Sequence, residues 1–100
     1  KVTGALRGTD LVVRVDGPAT FLTLPATLEA LKPARAASVE RVVLDVSGAS
    51  LVDHTYLERV HGAAAEWPAA ALAVVGLEHL TAVSPHPLAA RRVARTPAAA

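Results

Sequence analysis

The chain has 100 residues, 52% of them hydrophobic and only 3% aromatic, with no cysteine and a formal net charge of +1. A single domain of this length buries roughly two thirds of its unfolded surface, so one core of Val and Leu suffices, with Phe21, Tyr56 and Trp67 as isolated large groups. The composition excludes disulfides, thiolate metal sites and a cysteine nucleophile, fits a reducing compartment, and argues against broad electrostatic capture of nucleic acid.

Val2–Leu6 reads as a short strand, Gly8-Thr9-Asp10 as a turn and Leu11–Val15 as a second strand, which together predict an antiparallel hairpin. Asp16-Gly17-Pro18 is expected to end it. Thr23 has the character of a helix N-cap with Pro25 in the first turn. Leu24, Leu28 and Leu31 follow at helical spacing until Pro33, and residues 34–40 read as an Ala/Ser linker. Arg41–Val46 is a nearly continuous apolar run, which predicts a central strand covered on both faces. A Ser47-Gly48 turn and a short apolar step, Leu51-Val52, lead into a second helix starting near Asp53. Leu57, Val60 and Ala64 form its inward stripe, and Pro68 limits its end. Ala71–Val75 is another buried strand, closed by Gly76. A helical turn is expected around Glu78–Val83, and a last helix over Leu88–Val93 after the Ser84-Pro85-His86-Pro87 break. The order β-β-α-β-α-β-α predicts an α/β domain whose later strands are parallel, over residues 1–95, with a frayed tail over 96–100.

Methionine is absent even from position 1, and no signal-peptide pattern opens the chain, so it reads as an excised fragment. Its longest apolar stretch, Trp67 to Leu77, is interrupted by Pro68 and Gly76 and falls short of the roughly 20 residues a bilayer span needs. After Glu78 there is no acidic residue, while Arg91, Arg92 and Arg95 follow. These arginines suit the negative end of a helix dipole, or else contact with an acidic partner or lipid headgroups.

Chemistry concentrates at Asp53-His54-Thr55, where a strand's carboxyl end meets a helix amino end. Open α/β folds place their interaction sites there, and unpaired N–H groups there favour anions. Asp53 can cap the helix, and a phosphate on Thr55 would meet the positive end of the helix dipole. The plainest reading is a well-capped helix. His54, Glu58 and His61 share a face, but the two histidines lie two turns apart, about 10 Å by helix rise, too far for one metal. Asp45, beside Ser47, reads as a hydrogen-bonded carboxylate near a strand end. No G-x-S-x-G, P-loop or G-x-G-x-x-G occurs, so no enzyme activity and no cofactor are expected.

Three segments carry a family resemblance. The first is Val12-Val13-Arg14-Val15-Asp16-Gly17-Pro18 with Phe21. The second is Val43-Leu44-Asp45-Val46-Ser47-Gly48 with Val52-Asp53-His54-Thr55 and Leu57-Glu58. The third is Val75-Gly76-Leu77 with Ser84-Pro85-His86-Pro87 and Ala90-Arg91. In order and spacing they resemble a STAS domain, the module named for sulphate transporters and anti-sigma factor antagonists, over roughly Leu11 to Arg92. The resemblance implies a STAS-like mixed sheet of four to five strands, with an antiparallel edge hairpin and flanking helices, and a non-catalytic regulatory or protein-interaction role. Thr55 falls at the phospho-acceptor position of free-standing antagonists. The form Asp53-His54-Thr55-Tyr56, with Tyr56 where those antagonists carry a small glycine, instead resembles bacterial SulP transporters.

The expectation that follows is the cytosolic tail of a SulP-type sulphate or bicarbonate transporter, at the inner face of the cell membrane. It would use Asp53, His54, Thr55 and Glu58, with Ser47 and Ser50 on the adjoining loop, to dock on the transporter membrane domain, a soluble regulatory protein or a twin. The alternatives are a free-standing antagonist phosphorylated at Thr55 by an anti-sigma kinase, and an anion- or nucleotide-binding sensor.

Overall fold

Alternation of apolar and polar residues builds the first hairpin of the computed structural model, which describes residues 1–82 and 88–93. Strand β1 (Val2–Arg7) pairs antiparallel with β2 (Asp10–Ala19) across a tight turn in which Gly8 takes a φ of 63°. A glycine at the first of two turn residues matches the twist of the flanking strands. Leu11, Val13 and Val15 alternate inward and are buried.

Helix α1 (Leu24–Leu31) follows, with Pro25 in its first turn, where a missing N–H costs nothing. It buries Leu24, Thr27 and Leu31. Pro33 does not end the helical path; a 3-10 turn carries it over Lys32–Arg35 and buries Ala34. The expected linker thus begins as part of the core, and Val39 is buried as well.

Strand β3 (Arg41–Val52) is central, parallel to β2 on one side and to β4 (Ala71–Val75) on the other. Helix α2 (His54–Ala64) makes the second crossover. Because β2, β3 and β4 are added in one direction, crossovers of one hand bring both helices to one face. Val42, Leu44 and Val46 meet Tyr56, Leu57 and Val60 in that core. Each such aliphatic side chain contributes about 1.5–3 kcal/mol by leaving water.

Four expectations need correction here. Ser47-Gly48 is not a turn, and Asp16-Gly17-Pro18 does not end β2; both lie within paired strands. The pairing shifts between Arg14 and Asp16 and again between Gly17 and Pro18, so β3 absorbs an extra residue at each place. Bulges of this kind change which side chains face inward. The buried positions of β3 accordingly run Val42, Leu44, Val46, then Ala49 and Val52. Nor is β3 covered on both faces: Val43 and Asp45, on the side away from the helices, are only half-buried.

The fourth correction concerns the carboxyl-terminal part. Residues expected as a helical turn and a last helix form strands β5 (Leu80–Ala82) and β6 (Arg91–Val93), antiparallel to each other. The reason lies in β3. Its partner β4 stops at the Asp45–Val75 pair, so the edge at Leu51 and Val52 is open and β6 pairs there. The mixed sheet therefore has six strands among the described residues, against the four or five expected. The α/β class and the antiparallel edge hairpin are as expected. The Ser84-Pro85-His86-Pro87 break, Arg95 and the tail over 96–100 lie outside the described residues. Among the described residues no helix is long and apolar enough to cross a membrane.

Candidate interaction site at the start of the second helix

The site arises where β3 runs out and α2 begins. Asp53 keeps an extended backbone (φ −81°, ψ 147°) as N-cap, and its carbonyl accepts the Leu57 N–H at 3.1 Å. Its carboxylate makes no capping hydrogen bond. The expected side-chain cap is therefore absent, and the carboxylate sits beside first-turn N–H groups at the positive end of the helix.

The next residues divide by helical geometry. Asp53 and His54 are half-buried, Thr55 is exposed, Tyr56 and Leu57 are buried, and Glu58 is exposed. His54 Nε2 lies 3.4 Å from a Glu58 carboxylate oxygen one turn on. His54 Nδ1 meets the Leu88 carbonyl. A carbonyl only accepts, so Nδ1 carries a proton. His79 makes a similar tie, its Nε2 donating to the Ala49 carbonyl at 2.7 Å. These two rings fasten the segments before and after the undescribed residues to β3 and α2. Arg91 pairs with Val52 next to the site, and its buried Nε has no hydrogen-bond partner among the described residues.

Tyr56 packs away from this surface, in the core. Thr55 is thus not shielded by the large residue that follows it. His61 is exposed beyond Glu58. Among the described residues no three His, Cys, Asp or Glu side chains are placed to hold a metal.

Ser47 and Ser50 are exposed on β3 itself rather than on a loop. The Ser47 N–H donates to Asp45 Oδ1 at 2.9 Å, which ties it to a charged cluster on the open sheet face. There Arg14 bridges Asp16 at 3.1 Å and Asp45 at 3.4 Å. The hydroxyl and N–H of Ser47 hold the Asp45 carboxyl below its ordinary range, Arg14 assists, and partial burial opposes them. The structure brings Asp53, His54, Thr55 and Glu58 together and assigns Ser47 to this other cluster.

One element of the surface escaped the sequence reading. The Asp53 N–H donates to the Ala19 carbonyl at 2.9 Å, which brings the Thr20–Thr23 turn beside the helix start. Thr23 Oγ1 accepts the Thr20 N–H, and Thr20 Oγ1 accepts the Leu22 N–H. This fixed turn exposes Phe21 by 68% and Leu22 by 76%. The signal available was Phe21 itself, the chain's one phenylalanine, lying between Pro18 and Thr23, whose side chain makes no capping bond to α1. No protein-family model matches the chain, and no curated protein matches it in sequence.

Proposed function

We propose that this domain is a non-catalytic interaction module of the STAS type, serving as the cytosolic tail of a SulP-type anion transporter. The observation that carries the reading is the exposed mouth of α2. Asp53, His54, Thr55 and Glu58 lie there beyond the carboxyl ends of parallel strands, and the Ala19–Asp53 bond brings the turn that exposes Phe21 and Leu22 to the same end of the sheet. A surface that offers polar groups and exposed apolar side chains together suits docking. The order of the first six elements, opened by an antiparallel hairpin, supports the family reading, as does the Asp53-His54-Thr55 sequence. The partner would be the transporter's membrane domain, at the inner face of the membrane. The full reading frame tests this: hydrophobic spans encoded ahead of Lys1 are expected, and a frame without them would overturn the transporter assignment.

A second reading, the free-standing anti-sigma factor antagonist, gains from the inward turn of Tyr56. With Tyr56 buried and Thr55 exposed, a kinase has access to the Thr55 hydroxyl. Added phosphate would face the positive end of α2. Phosphopeptide mass spectrometry of the protein from its host decides between the two: stoichiometric phosphate on Thr55 supports the antagonist, and its absence supports the tail.

A further inference from the structure

The outer edge of β1 has no strand beside it among the described residues. The Lys1 amine donates to the Asp16 carbonyl at 2.7 Å, and the Asp16 N–H returns a bond to the Lys1 carbonyl at 2.8 Å. Lys1 and Asp16 are thus a mutually bonded pair, and such pairs alternate along an antiparallel ladder. Thr3, Ala5 and Arg7 therefore bond to β2, while the N–H and C=O groups of Val2, Gly4 and Leu6 point out from the sheet. Natural edges of this kind are guarded by proline, by bulges or by inward charge. Between Val2 and Leu6 this one has none of these, its cations standing at Lys1 and Arg7.

Two features on the helix side of the same strand complement each other. Gly4 has no side chain, and beneath it Ala30 and Pro33 of the α1 region help line an open recess of about 340 Å³. Two residues along, Leu6 is 57% exposed. The recess wants an aliphatic side chain delivered by an added strand, and the strand that carries an uncovered one is β1 itself.

We infer that β1 is a self-association edge: two copies of this chain pair their β1 strands antiparallel about a two-fold axis at Ala5. In this register Leu6 of each copy lies opposite Gly4 of the other and fills the recess over Ala30. Backbone bonds then supply affinity, and the leucine in its recess supplies register. Centring the axis on Gly4 instead would set Lys1 against Arg7 of the other copy, and like charges directly opposite are unfavourable. Centring it on Ala5 sets Arg7 against Thr3.

Sedimentation equilibrium and amide hydrogen exchange on the 100-residue chain test the inference together. The mass is expected to rise toward twice the monomer's with concentration. The Gly4 and Leu6 amides should slow in step with it, while the Val2 amide stays fast. Leu6→Pro removes an outward N–H without touching the bonds to β2, and should weaken association by about tenfold or more. Leu6→Lys, which keeps the backbone intact, serves if the proline variant fails to fold and should act in the same direction. A mass that stays monomeric to about 1 mM, a range set by the mM weakness of marginal contacts, would overturn the inference. So would a dimer that survives both variants.

Discussion

Tyr56 Oη lies 2.7 Å from Thr27 Oγ1 in the buried interior, the polar link between the two helices. The Thr27 hydroxyl donates to the Thr23 carbonyl at 3.0 Å, so the tyrosine donates and the threonine accepts. One side chain thereby locks the first turn of α2 to α1. It also turns the bulk of the Asp-His-Thr-Tyr sequence inward, which leaves Thr55 in solvent.

Removing that hydroxyl with Tyr56→Phe is expected to lower stability by about 1 kcal/mol, the usual net worth of a buried neutral hydrogen bond. Tyr56→Ala should cost about 3–5 kcal/mol through the cavity it leaves. Urea unfolding of both variants measures the difference.

The same bond has an alkaline signature. Burial pushes the Tyr56 phenol above its ordinary value, opposed by the Thr27 hydroxyl, which would turn to donate to a phenolate. The unfolded chain releases that proton from about pH 10. The stability gained by keeping the phenol neutral is thus present below about pH 10 and lost as pH rises toward the folded value. Thermal melts should show the parent losing stability above pH 10 more steeply than Tyr56→Phe.

Asp45 gives the opposite limb. Its carboxyl is held low by the Ser47 hydroxyl and N–H, with help from Arg14. A depressed carboxylate contributes stability above its unfolded value near 4, and that contribution disappears as pH falls through the folded value. Asp45→Asn should flatten the acid limb of a stability–pH curve below about pH 4, and an unchanged slope would remove Asp45 from that role.

Gly76 and Gly48 test how β4 and β2 meet the bulged part of β3. Gly76 has a φ of 89°, and an added Cβ would stand 2.4 Å from the Ser47 backbone nitrogen. At Gly48 the obstructing atom is the Asp16 carboxylate, the mobile end of a side chain. Gly76→Ala should therefore cost more than about 1 kcal/mol, and clearly more than Gly48→Ala, in paired denaturation measurements.

The elements legible in the sequence were those whose signal is local. Alternation placed the first hairpin, Pro25 placed α1, and the apolar run placed β3 in the middle of the sheet. Asp53 marked the start of α2 even though its carboxylate does not cap it. What depended on distant partners was missed. Ser47-Gly48 reads as a turn because Gly and Ser favour turns, yet β2 holds that segment in a bulged strand. The short β5 and β6 exist because β3 outruns β4 and offers an open edge. At the site, the periodicity that assigned Leu57 and Val60 to the core left the polar positions as candidates. Phe21 and Leu22 joined them only through the Ala19–Asp53 bond, and no local pattern announces a pairing across 34 residues of chain.

The absent side-chain cap at Asp53 separates stability from docking. An N-cap Asp→Ala change usually costs about 1 kcal/mol. Here the Asp53 carboxylate makes no capping bond, so Asp53→Ala should cost under about 0.5 kcal/mol by urea unfolding while still weakening partner binding.

The most direct test of the docking face is photo-crosslinking in the host cell, from position 55 beside the helix start and from position 9 at the opposite end of the sheet. A discrete adduct from 55, mapping to a membrane transport protein and missing from 9, is the predicted result. Equal labelling from both positions, or an adduct from 9 alone, would contradict it.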